Sequence, residues 1–214
     1  LQELANQGVC KKVYGGAVIN AQNDGSLVQR MVLNSDRKQL LAKACIPYFK
    51  EHAFVFIDSG STNLAIASMI PHDLTLTVVT HTPAIAIALQ SHQQCDVILL
   101  GGKISKQQGA AIGSCSLKQL QTMHFDLAVL GACAIDVEVG VSAFDVEDAQ
   151  FKHAIVKQSN NVLIAVTEEK LSSVARHKVT ALDAISVLIT DAKKNDIKLA
   201  EFKDTELELV CTSE

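Results

Sequence analysis

Phe54-Val55-Phe56-Ile57-Asp58-Ser59-Gly60-Ser61-Thr62-Asn63 is the stretch on which the fold turns: four apolar residues run into a small, hydroxyl-rich turn, and a helical pattern follows. The unbroken apolar run predicts a strand buried on both faces. Gly60 permits a tight turn in which backbone N–H groups converge on an anion. Ser61 or Thr62 is placed to cap the next helix, whose N-terminal end also favours phosphate. The same residues describe an ordinary strand, turn and helix with a capping hydroxyl. The recurrence of the theme downstream is what favours the phosphate reading.

Outward from that turn, short apolar runs alternate with helical segments. Helices are expected over 36–49, 62–70, 83–89, 116–123 and 145–158, with Thr82 and Asp145 as N-caps and Pro83 in a first turn. Strands are expected over 53–57, 74–79, 96–100, 126–130, 162–166 and 184–189, with 207–210 as an added edge strand. This alternation predicts an α/β fold, a largely parallel sheet flanked by helices. In such sheets the ligand crevice lies beyond the carboxyl ends of the strands.

Those ends are small or polar here. Asp58, Ser59, Gly60, Ser61 and Thr62 follow the first strand, Thr80 and His81 the second, and Gly101, Gly102 and Lys103 the third. Gly131-Ala132-Cys133 follows the fourth and Thr167-Glu168-Glu169-Lys170 a later one. Together they outline one anion pocket: glycines allow close backbone approach, hydroxyls donate to phosphate oxygens, and Lys103, Lys152 or Lys170 supplies positive charge. Each also has a plainer reading. Lys152 stands four residues after Asp148, as in a surface ion pair worth ~0.3 to 0.5 kcal/mol. His81, Lys103 and Lys170 fit solvated loops, and Glu168-Glu169 fits a solvated turn.

Composition narrows the class. The 214 residues are enough for a substantial core, and with 48% hydrophobic residues and no Trp that core is aliphatic and alanine-rich. The net charge of -4 excludes a free-standing nucleic-acid binder, which needs a concentrated basic surface. The six cysteines, Cys10, Cys45, Cys95, Cys115, Cys133 and Cys211, form no C-x-x-C pair and read mostly as small buried hydrophobes in a reducing cytosol. With no signal peptide and no apolar run near the ~20 residues of a membrane span, a cytoplasmic protein without membrane contact is expected.

Taken in order, Ile57-Asp58-Ser59-Gly60-Ser61-Thr62, Val78-Val79-Thr80, Leu100-Gly101-Gly102-Lys103, Gly109-Ala110-Ala111-Ile112-Gly113, Phe125 to Gly131 with Ile135-Asp136, and Asp148-Ala149 with Lys152 resemble the motifs of the DeoR family of bacterial transcription regulators. The resemblance runs from Leu1 to about Asp191. It implies a ribose-5-phosphate isomerase/CoA-transferase-like sensor domain that binds a phosphorylated sugar. Residues Leu1 to Gly8 and Lys11 to Ala17 resemble the recognition-helix tail and wing of the family's winged helix-turn-helix, so the chain reads as truncated. Residues 1–19 are accordingly expected to be a remnant of the DNA-binding domain. Residues 20–52 are the linker and linker helix, on which Arg30, Asn34 and Lys38 match the family pattern, and 53–214 are the sensor.

The implied protein is a regulator, most simply a repressor, of carbohydrate metabolism. It addresses operator DNA through the missing domain, works as a homo-oligomer, and has no catalytic residue, metal or cofactor. The resemblance places the effector on the strand-end residues together with Asp148 and Lys152. Lys152→Ala is then expected to weaken effector binding without unfolding the protein. The competing reading is a sugar-phosphate isomerase or deaminase, with Asp58 or Asp148 as general base and a lysine stabilising an enediolate. The chain departs from the family pattern at His81, usually Asn; at Asp148, usually Glu; and at Thr167 to Leu171, where only Lys170 survives from Asp-x-Ser-Lys-Phe. These departures bear on which effector binds.

Overall fold

A computed structural model of the chain describes residues 10–13, 16–21 and 25–213. The residues expected to form a recognition-helix tail, Leu1 to Gly8, lie outside the described residues. The chain opens on a hairpin of β1 (Cys10–Val13) and β2 (Gly16–Asn20). Two helices follow, α1 (Leu27–Val32), closed by a Ser26/Gln29 capping box, and α2 (Ser35–Cys45). Next come β3 (Phe54–Ile57), α3 (Ser61–Ala67), β4 (Leu76–Thr80), α4 (Pro83–Leu89) and β5 (Cys95–Leu99). A small hairpin, β6 (Ile104–Ser105) and β7 (Ala110–Ala111), leads into α5 (Ser114–Leu120) and β8 (Phe125–Leu130). The second half holds β9 (Ala134–Asp136), β10 (Gly140–Ala143), α6 (Val146–Lys157), β11 (Ser159–Val166), β12 (Ser173–Val174), β13 (His177–Thr180), β14 (Val187–Lys193) and β15 (Glu208–Ser213).

Seven strands form the main sheet in the order β15-β14-β11-β8-β3-β4-β5, every neighbouring pair parallel. The expected parallel α/β architecture is therefore observed. From β3 the chain winds outward through β4 and β5, then returns to β8 and winds outward the other way. The order reverses between β3 and β8, which is where a doubly wound sheet opens its crevice.

Alternation along β3 assigns its side chains to two cores. Val55 and Ile57 pack with Leu41, Ile66 and Ile85 under α2, α3 and α4. Phe56 faces the opposite side with Leu120, Phe125 and Phe151 under α5 and α6. Each fully buried Phe contributes about 1.5–3 kcal/mol of transfer free energy, and the Phe56 and Phe125 ring centroids are 5.2 Å apart. Leu41, Ala42 and Cys45, in the segment expected to be linker, are fully buried in this core.

Several boundaries differ from expectation. The helix expected to reach residue 49 stops at Cys45, because Pro47 lacks the N–H an α-helix needs and a 3-10 turn, Ile46–Tyr48, takes over. The helix expected over 62–70 ends at Ala67, and the strand expected over 184–189 starts at Val187 after a 3-10 turn over Leu182–Ala184. Asp145 is the N-cap of α6, as expected, accepting from the Glu147 and Asp148 amides. Thr82 occupies the N-cap position of α4, but its hydroxyl makes no cap bond. Neither Ser61 nor Thr62 caps α3: Gly60, at φ 156°, is the N-cap and Ser61 is already in the first turn. The antiparallel sheet β13-β10-β9 and the β6–β7 hairpin were not expected, their strands being too short to show a period. Of the described cysteines, all unpaired, only Cys45 is fully enclosed and Cys115 is exposed, against the expectation of mostly buried thiols. No helix among the described residues is long and apolar enough to cross a membrane.

Candidate functional site

The reversal between β3 and β8 holds a narrow cleft of about 400 Å³, counted out to open solvent. Ser59 to Asn63 line it from the β3–α3 turn, Gly131 to Cys133 from the end of β8, Asp148 and Lys152 from α6, and Lys170 from the turn after β11. Arg30 on α1 and Gln108 between β6 and β7 close the remaining side.

Beneath it lies a buried ion cluster. Asp58 has no exposed surface. Its Oδ1 accepts from the Ser59 amide at 2.7 Å and lies 3.0 Å from His81 Nε2, while Oδ2 accepts from the Gly131 amide at 2.8 Å and Lys152 Nζ at 2.5 Å. His81 Nδ1 faces the Ala111 carbonyl at 2.9 Å, which can only accept, so that nitrogen carries the proton. The imidazole is stacked on Phe151 with centroids 4.4 Å apart. Burial alone pushes the Asp58 carboxyl up, but Lys152 and His81 outweigh it and hold it down at about 2.

Asp148 is equally buried and lies 3.2 Å from Lys152 Nζ through Oδ1. That approach lies outside hydrogen-bond geometry, and neither carboxylate oxygen has a hydrogen-bond donor among the described residues. Burial therefore dominates, and with the Asp58 charge nearby it raises the Asp148 carboxyl above its ordinary range despite Lys152. Burial pushes Lys152 down, but the two flanking carboxylates overcome this and raise it. The Asp148–Lys152 spacing thus marks the floor of a cleft, not a surface ion pair.

Backbone geometry enforces this arrangement at Gly131. A Cβ there would fall 2.3 Å from the Ser59 carbonyl oxygen and 3.1 Å from Asp58 Oδ2, so only glycine lets β8 approach the β3 turn this closely. Asn63 staples the same two strand ends, donating from Nδ2 to the Asp58 and Val129 carbonyls at 3.0 and 3.2 Å.

A doubly wound parallel sheet, a glycine-gated turn at its reversal and a buried Asp–Lys–Asp cluster carry the motifs named above, and residues 33–192 match the family model described as DeoR C terminal sensor domain. The chain belongs to the DeoR family. Among its relatives, this chain is 27% identical to the HTH-type transcriptional regulator GolR of Listeria innocua, over 97% of this chain and 82% of that one. It is 29% identical to the HTH-type transcriptional regulator GlpR of Haloferax volcanii, over 89% and 75%, and 25% identical to the glycerol-3-phosphate regulon repressor of Escherichia coli K12, over 90% and 77%. Among solved structures it resembles ribose 5-phosphate isomerase A from Neisseria gonorrhoeae, at 13% identity and TM-score 0.48 over 68% of this chain and 56% of that one.

The DeoR sensor domain brings Asp58, Ser59, Gly60, Ser61, Thr62, Asp148, Lys152 and Lys170 to one place, with Lys170 Nζ donating to the Ala132 carbonyl at 2.9 Å. Thr80 and His81 stand behind it: Thr80 Oγ1 donates to the Ile57 carbonyl at 2.7 Å, and His81 supports Asp58. Gly101, Gly102 and Lys103 are not brought there. They are exposed beyond β5, the edge strand, with β4 between them and the reversal. Sequence reasoning missed Asn63 and Gln108, and it placed Arg30 on a linker, not in the cleft. Asn63 directly follows the motif that was read; Gln108 and Arg30 carry no local signal.

Proposed function

We propose that this chain is the effector-binding part of a DNA-binding regulator of carbohydrate metabolism, acting as a repressor, and that a phosphorylated sugar binds the cleft at the β3–β8 reversal. One observation carries the reading: Asp148 is a fully buried carboxyl lining the cleft, which among the described residues has the Lys152 ammonium at 3.2 Å as its ion-pair partner and no further donor on either oxygen. Such a group is costly unless a ligand completes it, and sugar hydroxyls are matching donors. Lys152 and Lys170 supply the charge for the phosphate. By linkage, the effector weakens operator binding only as far as it prefers the DNA-incompetent arrangement.

Of the two general bases the isomerase reading allows, Asp58 fits less well, because its oxygens are already occupied by two amides, Lys152 and His81; for Asp148 the absence or presence of turnover decides. The names of the relatives support a DNA-binding partner segment, which belongs with residues 1–19. Paired operator half-sites call for a homo-oligomer, and monomeric sedimentation of the operator-bound protein would contradict this.

Phosphorus NMR of pentose, hexose, amino-sugar and triose phosphates with the protein tests the proposal. Broadened or shifted ligand signals without new peaks are expected. New peaks growing with time would replace the sensor by an enzyme.

A further inference from the structure

Three walls of the cleft belong to the sheet and its core helices, and cannot move without opening the hydrophobic core. The fourth wall is different. It is α1, a six-residue helix with only Leu27 buried, held to the body by polar contacts. The Leu27 amide donates to the Gln107 carbonyl at 3.1 Å and Gln107 Nε2 to the Gly25 carbonyl at 3.0 Å. Asn34 Nδ2, just beyond the helix, donates to Glu169 Oε1 at 3.2 Å. Lys38 Nζ closes the last turn on the Arg30 and Leu33 carbonyls. The two loops that hold α1 are therefore the ones that put Gln108 and Lys170, the next residues along, into the cleft.

From α1, Arg30 reaches the same cleft. Its Nε is buried with no hydrogen-bond partner among the described residues. A buried guanidinium nitrogen without a hydrogen-bond partner among the described residues, lining the same cleft as Asp148, points to a polar group that completes it. Arg30 and Lys170 add positive charge to the rim, while Lys152 is shared between Asp58 and Asp148 at its floor.

We propose that Arg30 is an anion-contacting residue of the effector site, and that through it the phosphate fixes the position of α1, so that the segment leading back to the β1–β2 hairpin reports occupancy. This rests on the sugar-phosphate reading above and adds the residue that makes binding readable outside the sensor. Arg fits the role because its fork grips phosphate in a set orientation, whereas a lysine acts as a point charge.

The test is isothermal titration of the unmodified chain, Arg30→Ala and Arg30→Lys with ribose 5-phosphate, fructose 6-phosphate, glucosamine 6-phosphate and glycerol 3-phosphate, with thermal melts as the check on folding. Whichever of the four binds the unmodified chain tightest is then used for hydrogen exchange at residues 27–33. Arg30→Ala is expected to weaken that compound about 10- to 100-fold, and Arg30→Lys, which keeps the charge but loses the fork, to recover only part of the loss. Exchange over 27–33 should slow on binding in the unmodified chain and stay unchanged in saturated Arg30→Ala. Unweakened binding by Arg30→Ala, or exchange at 27–33 that ignores the ligand in the unmodified chain, overturns this inference and leaves the sugar-phosphate reading standing. No binding of any of the four to the unmodified chain overturns that reading, and this inference with it.

Discussion

Asp58 and Asp148 flank one lysine from opposite sides, both without exposed surface, yet their surroundings are opposed. The end of β3 surrounds Asp58 with two amides, a lysine and an imidazole, and its carboxyl is held near 2. In the first turn of α6, Asp148 has the Lys152 ion pair but no well-formed hydrogen bond among the described residues, and burial raises its carboxyl. The difference separates structure from function within one cluster. Asp58 ties the two strand ends at the sheet's reversal, and on the function proposed above it is the effector that completes Asp148.

The strongest way to break this comparison is Lys152→Ala. The sequence-level expectation was weaker effector binding without unfolding, but the side chain is buried between two carboxyls. Its removal leaves uncompensated buried charge, costing about 3–5 kcal/mol, to be read as a lower urea midpoint. Gly131→Ala should come next, at about 1–3 kcal/mol of overpacking, since the added Cβ meets the Ser59 carbonyl oxygen at 2.3 Å. An unchanged midpoint for either would mean that the β3–β8 junction is looser than described.

Acid separates the two carboxyls. Asp58 is held at about 2 against an ordinary 3.8, so its contribution is present above pH 4 and is lost as pH falls towards 2. Asp148, raised, works the other way: its contribution is present below its ordinary value and is lost as pH rises through the folded value. Denaturant midpoints from pH 5 to 2 should show the Asp58 step in the unmodified protein and not in Asp58→Asn. Asp148→Asn sharpens the contrast further. It should leave the melting temperature level or higher, because a costly buried carboxyl is gone, while weakening the best-binding sugar phosphate about tenfold or more by titration. A large loss of stability with intact binding would reverse the roles assigned to the two residues. Lys103→Ala, beyond the edge strand, should change stability by less than about 0.5 kcal/mol and leave effector affinity unchanged.

What was legible in the sequence was local. The apolar run of Phe54 to Ile57 gave β3, the alternation gave the parallel sheet, and Asp145 announced α6 through its amide-accepting side chain. Strand order was not legible, because nothing in Gly101-Gly102-Lys103 records that β5 is an edge strand while β8 returns to the centre. The cleft opens beside the reversal, so the glycine-containing end of β8 lines it and the similar end of β5 does not. Lys152 was legible as a candidate, but its burial was not, since Asp58 lies 94 residues away in the chain. Arg30 and Gln108 reach the cleft through loop packing that no periodic pattern encodes.

That separation has a consequence in the time domain of protein synthesis. Val55 on β3 waits for Leu127 on the central strand β8 as its partner, and Asp58 for Lys152. At about 5–20 residues per second of translation, the carboxylate emerges roughly 5–20 s before its counter-ion. Until residues 125–130 follow, β3 lacks one of its two sheet neighbours, and until residue 152 Asp58 lacks its counter-ion. Assembly of the cleft is therefore a late event on the ribosome, and a translational pause between residues 58 and 152 would prolong exposure of the chain's most apolar strand.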